Sequence, residues 1–242
     1  MVIGVIGGMG SYATLHFFER YLKVFPAEKE WDRPRIIIDN RCTMPSRVRA
    51  ILYGERYDQV VGELVDSAKR LSDAGCTHII SACGTSHVFL DAVAEQAPDV
   101  ADKIVNILDM SATTLKKCGT TKVSLLATEG SIQSGIYQKT YQEYGIEIET
   151  PKDNDLPRFR AFIEAVKKNE ITFETVDQFT KLLNEQIQDT VVLGCTEFPV
   201  LYSRVDVKKM RKGLVIVDPL EAVLASLKLE YGENTEKYSG GL

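Results

Sequence analysis

The sequence lacks the features that mark membrane, exported and nucleic-acid-binding proteins. No apolar run reaches the roughly 20 residues that a membrane-spanning helix needs, and no basic leader precedes the apolar segment that begins at Val2. We therefore expect a cytoplasmic protein with no membrane partner. The formal net charge is −5, and the 29 Lys and Arg residues are scattered rather than clustered, so no nucleic-acid partner is indicated. A small molecule is the expected partner.

Cysteine and histidine are also scarce. The five cysteines and three histidines form no CxxC pair and no cluster of potential ligands, so no metal site is predicted. An odd number of cysteines without an export signal favours reduced thiols over a disulfide framework. The 242 residues suffice for one large α/β domain or two small ones.

Apolar, β-branched runs alternate with amphipathic stretches along the chain. The runs predict eight strands: Val2–Ile6, Arg35–Asp39, Thr77–Ala82, Val105–Leu108, Lys122–Ala127, Ile146–Glu149, Thr190–Leu193 and Leu214–Val217. The amphipathic stretches predict six helices: Ser11–Val24, Tyr57–Ala74, Met110–Lys117, Gly135–Tyr144, Leu156–Lys168 and Phe173–Gln188. This alternation predicts an α/β fold with mainly parallel sheets flanked by helices.

Two cysteines lie in matching settings in the two halves of the chain. Cys83 and Cys195 each close an apolar run and are followed by small residues that suit a strand-to-helix turn. Each thiol should therefore lie at the carboxyl edge of a sheet, where open α/β folds bind ligands. A faint likeness between residues 2–11 and 122–131 also favours two related domains across a cleft, although short apolar strands resemble one another by chance. Two thiols facing one pocket suggest proton-transfer chemistry.

The turn after the first strand allows two interpretations. Gly8–Ala13 fits the loose G-x-G-x-x-A form of a dinucleotide fingerprint, for which Asp39 would be the acidic partner at a stretched spacing. A nicotinamide-dependent oxidoreductase is therefore one alternative. A glycine-rich turn also lets helix-terminal N–H groups bind a carboxylate, and we favour this anion-binding interpretation.

Three further side chains are candidates for the same pocket. His87, four residues after Cys83, can orient a thiol, act as an acid or be structural. Glu197 can accept from a substrate ammonium, polarise the Cys195 thiol or cap its own helix. Arg47 belongs to a polar loop after the second strand and can bind a carboxylate through its guanidinium group.

Several motifs together resemble the aspartate/glutamate racemase family, in its aspartate racemase branch. They are Gly7-Gly8-Met9-Gly10 with Ala13-Thr14, Pro45-Ser46-Arg47, Cys83-Gly84-Thr85-Ser86-His87, Leu125-Leu126-Ala127-Thr128, Ser134-Gly135-Ile136-Tyr137-Gln138 and Gly194-Cys195-Thr196-Glu197-Phe198-Pro199. The resemblance implies two pseudo-twofold-related α/β domains, residues 1–100 plus 208–242 and residues 101–207, with the active site between them. It also implies a homodimer and a reaction that needs no cofactor, pyridoxal phosphate included.

The resemblance assigns roles residue by residue. Cys83 and Cys195 match the paired acid/base cysteines that flank the substrate α-carbon, and Arg47 matches the arginine that holds the side-chain carboxylate. Lys167 is a looser match to a second carboxylate-binding lysine. The remaining expected substrate contacts are Met9, Gly10, Gly84, Thr85, Thr128, Thr196 and Glu197, with His87 as an auxiliary residue.

Two positions depart from the family pattern. Gly84 stands where the family usually has asparagine, and Ser11 stands where proline is common. The predicted function is interconversion of L- and D-aspartate, with glutamate as a second substrate. The alternatives are isomerisation or decarboxylation of a small dicarboxylate on the same fold, and ligand binding without turnover.

Overall fold

The computed structural model describes residues 1–239, with side-chain surroundings for all of these except 153 and 233–239. Residues 240–242, the end of the predicted first domain, lie outside the described residues. The strands are β1 (Val2–Gly7), β2 (Arg35–Asn40), β3 (His78–Ser81), β4 (Ile104–Val105), β5 (Lys122–Leu126), β6 (Glu147–Glu149), β7 (Thr190–Leu193) and β8 (Val215–Val217). The helices are α1 (Ser11–Val24), α2 (Arg47–Tyr53), α3 (Tyr57–Asp73), α4 (Leu90–Gln96), α5 (Pro98–Ala101), α6 (Ile107–Lys117), α7 (Glu129–Ser134), α8 (Ile136–Glu143), α9 (Leu156–Lys167), α10 (Phe173–Asn184), α11 (Glu197–Tyr202) and α12 (Pro219–Ser239).

The two halves of the chain repeat one sheet topology. The first sheet has the order β2-β1-β3-β4 and the second has the order β6-β5-β7-β8, and all of their pairings are parallel. The central strand β1 is buried along almost its whole length, as a parallel strand covered by helices on both faces should be. The predicted α/β class with two parallel sheets is confirmed.

Each half lends its last helix to the other half. Helix α6 follows β4 of the first sheet and packs on α8 of the second half, whereas α12 follows β8 of the second sheet and packs on α1 and α6. A shared hydrophobic core therefore runs between the sheets, with Ile80 from one and Val192 from the other. This core fixes the two carboxyl edges relative to each other.

Most strand predictions agree with the structure within two residues, and one is wrong at its end. Ile107 and Leu108, predicted to continue a strand, open helix α6 because the Asn106 side chain accepts hydrogen bonds from the N–H groups of Leu108 and Asp109, at 2.9 and 3.3 Å. Within the described residues, β4 pairs with the first sheet and β8 with the second, so these two short strands pair across the predicted domain boundaries.

The segment predicted as a polar loop contains helix α2. Ser46 caps it by accepting from the N–H of Arg49 at 3.3 Å, and Gly54 ends it in the left-handed conformation, at φ 70°. Arg47 is thus the first residue of a helix rather than a loop residue. Helices α4, α5 and α7 are short and were not predicted from the sequence, whereas α11 begins at Glu197, where a helix was expected without stated bounds.

Candidate active site

A small cavity of about 40 Å³ lies where the carboxyl ends of the two sheets meet. Both halves of the chain contribute to its lining. Ten of the predicted site residues line it: Met9, Arg47, Cys83, Gly84, Thr85, Thr128, Lys167, Cys195, Thr196 and Glu197. Ser46 and Val48 complete the lining, whereas Gly10 and His87 stand behind it.

The two cysteines occupy equivalent places in the repeated topology. Cys83 follows β3 and begins a 3₁₀ helix, Gly84–Phe89, while Cys195 follows β7 and precedes α11. Both thiols are nearly buried, with 7% and 4% of the residue exposed. The third strand of each sheet therefore delivers one thiol to the same cavity.

Two hydrogen bonds fix the cysteine turns: one joins the two turns to each other, and the other holds the Cys195 turn to helix α8. The Thr196 hydroxyl donates to the carbonyl of Ala82, the residue before Cys83, at 3.2 Å. The Tyr137 hydroxyl donates to the carbonyl of Gly194, the residue before Cys195, at 2.9 Å. Burial raises the pKa of Tyr137 far above its ordinary value, so this hydroxyl remains a donor.

Close packing at this contact explains the glycine after Cys83. A Cβ on Gly84 would lie 2.3 Å from the Gly194 carbonyl oxygen and 2.5 Å from the Tyr137 hydroxyl. Both distances are far below van der Waals contact. The two cysteine turns can lie this close together only because residue 84 has no side chain.

Cys195 is held as a thiol by its surroundings. Burial raises its pKa well above the ordinary value, and the nearby Glu197 carboxylate raises it further. The Cys195 Sγ donates to Glu197 Oε2 at 3.0 Å. The other oxygen, Oε1, is buried without a hydrogen-bond partner among the described residues. Cys195 is thus equipped to give a proton, and Glu197 retains one carboxylate oxygen that no described residue engages.

His87 supports the Cys83 turn from behind. Its Nε2 accepts from the backbone N–H of Ile107 at 3.2 Å, so its Nδ1 carries the hydrogen and donates to the Cys83 carbonyl at 3.1 Å. Burial lowers the pKa of His87 to about 4. Both ring nitrogens are therefore occupied by backbone groups. Of the three roles considered for His87, this arrangement favours a structural one, in which the ring orients the backbone of Cys83.

Arg47 presents one free donor to the cavity region. Its guanidinium donates to the carbonyls of Pro45, at 2.9 Å, and Met9, at 2.5 Å. Its Nε is buried and has no partner in the part of the chain that the structure describes. Two backbone contacts fix the plane of the guanidinium, and the remaining N–H suits an incoming carboxylate.

Three hydroxyl groups form a ring that joins the two halves. Thr85 and Thr128 lie 2.9 Å apart, Thr128 and Ser131 lie 3.0 Å apart, and Ser131 donates to Thr85 at 3.1 Å. In a closed ring each hydroxyl group donates its proton to a neighbour. One of the three hydroxyl groups must therefore turn its proton outward before it can donate to a substrate carboxylate. Sequence reasoning found the two threonines but did not assign Ser131 to the site, although Ser131 ends the segment that resembles residues 2–11.

The glycine turn after β1 is tightly enclosed. Gly8 has φ 80°, and a Cβ there would lie 2.4 Å from the backbone of Arg41. A Cβ on Gly10 would lie 2.3 Å from Glu197 Oε1. Gly10 therefore makes room for the carboxylate beside Cys195 and contacts the site through Glu197.

Lys167 lies at the mouth of the cavity, at the last turn of α9. It is exposed, and no hydrogen bond or ion pair holds it among the described residues. Its positive charge partly lowers the pKa of Cys195, against the larger effects of burial and Glu197. A free ammonium group at this mouth can meet an anionic substrate.

Comparison with known proteins identifies the family. The family model for Asp/Glu/Hydantoin racemase matches residues 6–227. The chain belongs to this family. A solved structure of an aspartate racemase from Picrophilus torridus has a TM-score of 0.78 and 28% identity, and the match covers 96% of this chain and 94% of that one.

Two curated relatives in this racemase family show the same level of identity. The broad specificity amino-acid racemase RacX of Bacillus subtilis (strain 168) is 28% identical over 207 residues, covering 81% of this chain and 85% of the relative. The glutamate racemase of Aquifex pyrophilus is 28% identical over 178 residues, covering 72% and 67%. These likenesses support amino-acid racemase activity, and the likeness to the Picrophilus torridus structure supports the aspartate racemase branch.

The acidic residue of the oxidoreductase alternative is already engaged by other side chains in this chain. Asp39 Oδ2 accepts from Arg41 Nε at 2.7 Å and from the Ser67 hydroxyl at 2.7 Å. The glycine turn packs on Arg41 and Glu197 as described above. Family membership and these contacts favour the anion-binding interpretation of the turn.

Two further features of the described residues bear on other functions. No helix among them is long and apolar enough to cross a membrane. No group of three or more His, Cys, Asp or Glu side chains in the described part of the chain is arranged to hold a metal ion.

Proposed function

We propose that the protein interconverts L- and D-aspartate, with glutamate as a second substrate, by cofactor-independent proton transfer between Cys83 and Cys195. The observation that carries this proposal is the arrival of two nearly buried thiols, from equivalent strands of the two halves, at one cavity. Two-sided transfer at an α-carbon needs one proton acceptor and one proton donor on opposite faces.

The polar groups of the cavity suit the three charged groups of aspartate. Arg47, with its free Nε, would bind the side-chain carboxylate. Thr85 and Thr128 would turn hydroxyl protons toward the α-carboxylate. The Thr196 hydroxyl already donates to Ala82, so this residue would contribute its backbone N–H. The free Oε1 of Glu197 would accept from the substrate ammonium.

The protonation of Cys195 sets a direction for the first turnover. Cys83, as thiolate, would remove the α-proton from one face of the substrate, while the Cys195 thiol gives its proton to the other face. The product leaves Cys83 as thiol and Cys195 as thiolate, the state that serves the opposite enantiomer. A Cys195 thiolate beside the Glu197 carboxylate brings two negative charges close together, and the substrate ammonium on Glu197 would offset this repulsion.

Proton exchange in D2O tests the proposal directly. L-aspartate, and separately L-glutamate, is incubated with metal-free, pyridoxal-phosphate-free protein, and the α-proton is followed by NMR. We expect loss of the α-proton signal with appearance of the D-enantiomer, and loss of racemisation in Cys83→Ser and in Cys195→Ser. Cys118→Ser is the matched control, because Cys118 is exposed at the end of α6 and away from the cavity.

The outcomes separate the alternatives. Tight amino-acid binding without exchange in the wild-type protein would contradict turnover and favour a binding protein. Exchange that survives both cysteine substitutions would contradict the two-thiol mechanism. The homodimer implied by the resemblance is checked separately by light scattering of the purified protein.

A further inference from the structure

The cavity at the two thiols is too small to hold a whole substrate. At about 40 Å³ it has room for roughly three water-sized groups, since each of them occupies about 10 to 15 Å³. Aspartate has nine non-hydrogen atoms. A bound substrate must therefore widen the cavity or extend out of it toward connected space.

A larger chamber adjoins this cavity. It has a volume of about 430 Å³ and shares four lining residues with the inner cavity, Ser46, Val48, Thr128 and Lys167. We call this shared border the throat and the larger space the outer chamber. Its walls are helices α2 and α9 with the start of α7, so it lies on the side of the inner cavity where Lys167 stands.

The outer chamber combines an apolar wall with a charged rim. The apolar side chains are Val48, Leu52, Leu156, Phe159 and Ile163. The charged side chains are Arg49, Arg160, Lys167, Glu129 and Glu164. An aliphatic chain that passes through the throat would lie against this apolar wall and be removed from water, which favours its binding.

The charges of the rim favour an anionic end group. Arg49 pairs with Glu55 at 2.5 Å, and Arg160 pairs with Glu129 at 2.6 Å. Lys167, by contrast, stands at the throat without an ion pair among the described residues. Both lining arginines are thus already paired with carboxylates, and Glu164 is the lining carboxylate without an ion pair among the described residues. The preference for an anionic end group therefore rests on the ammonium group of Lys167. A cationic side chain would instead meet Lys167 at the entrance.

We infer that the outer chamber is a side-chain subsite for 2-amino dicarboxylic acids longer than glutamate, with the methylene chain on the apolar wall and the distal carboxylate at the rim. Its function rests on the proposed racemase chemistry, because the same Cys83 and Cys195 would act on the α-carbon of these substrates. The ligand class comprises chains such as 2-aminoadipate and 2-aminopimelate.

A chamber-filling substitution tests this inference. Leu52→Trp places a larger ring into the chamber from α2, where Leu52 is half-buried. Leu22→Trp on α1 is the matched control, because Leu22 is 38% exposed and outside both cavities. α-Proton exchange is measured for L-aspartate, L-2-aminoadipate, L-2-aminopimelate, L-norleucine and L-lysine. Leu156→Trp fills the chamber from α9 if Leu52→Trp does not fold.

We expect wild-type kcat/KM for 2-aminoadipate to exceed that for norleucine and lysine at least tenfold. Filling the chamber should lower kcat/KM for 2-aminoadipate and 2-aminopimelate at least tenfold and leave aspartate unchanged. An equal loss for all substrates would identify the chamber as an entrance path and overturn the subsite. Unchanged values for the long substrates would overturn it too.

Calorimetric binding keeps this test separate from turnover. If no substrate exchanges its α-proton, the proposed function fails, yet the chamber can still be tested by titrating 2-aminoadipate into wild type and Leu52→Trp. Binding to wild type that weakens at least tenfold in the filled variant would support the subsite. Equal binding, or none to wild type, would refute it.

Discussion

Removal of the Tyr137 hydroxyl is expected to affect both stability and catalysis. Tyr137→Phe deletes the 2.9 Å hydrogen bond to the Gly194 carbonyl in a fully buried setting. A buried acceptor left without its donor costs about 1 to 3 kcal/mol. For a chain of this size each kcal/mol lowers Tm by about 2 to 4 °C, which gives a fall of roughly 2 to 12 °C.

The same substitution should slow racemisation because Gly194 immediately precedes Cys195. Without the tyrosine hydroxyl, the turn that carries the thiol loses a contact that fixes its position. A shift of about 1 Å in a reacting group can cost roughly 100-fold in rate, so we expect kcat to fall at least tenfold. Racemisation of aspartate is measured by polarimetry, and Tm by scanning calorimetry.

Tyr141→Phe is the matched control for this experiment. Tyr141 is also fully buried, its ring lies 5.8 Å from that of Tyr137, and its hydroxyl lies 2.7 Å from the Ser111 hydroxyl, away from the cavity. It should lose stability while kcat stays at the wild-type value. Wild-type kcat in Tyr137→Phe, or an equal fall of kcat in both variants, would refute a positioning role for the Tyr137 hydroxyl.

Two further predictions concern protonation. Glu197→Gln removes a charge that raises the Cys195 pKa, so the pH profile of Cys195 alkylation, followed by peptide mass spectrometry, should move to lower pH; an unmoved profile would contradict the thiol–carboxylate contact. His87 has a folded-state pKa of about 4, below the ordinary value of about 6.5, so the unfolded chain binds more protons between these pH values and the folded state loses about 3 kcal/mol as pH falls through them. Urea unfolding at pH 7 and pH 4 should show this acid sensitivity reduced in His87→Asn, and an equal pH dependence in both proteins would argue against a neutral buried His87.

Local sequence signals were sufficient to predict the framework of the site. The apolar run before each cysteine predicts a buried strand, and parallel strands bring their carboxyl ends to one edge. The positions of Cys83 and Cys195 in the fold follow from these two facts and from the repeat of the topology. Helix α1 begins and ends at the predicted residues because both the glycine turn before it and its apolar face are local features.

The parts of the site that the sequence did not predict depend on contacts between segments that are distant in the chain. Ser131 completes the hydroxyl ring by contacting Thr85, 46 positions away, and Tyr137 reaches Gly194 across 57 positions. No hydrophobic periodicity in the sequence predicts such contacts. Helix α2 was missed because it is short and opens with polar residues, and the outer chamber depends on how this helix stands opposite α9.

The structure gives a steric reason for glycine at position 84, where the family usually has asparagine. From the sequence, glycine in place of asparagine is only the loss of a side-chain amide. In the structure, any Cβ at this position would collide with the Gly194 carbonyl and the Tyr137 hydroxyl, so an asparagine would require the two cysteine turns to move apart. Glycine at 84 and the bond from Tyr137 to Gly194 are therefore parts of one arrangement. Restoring the amide alone would disturb the approach of the two turns rather than add a substrate contact.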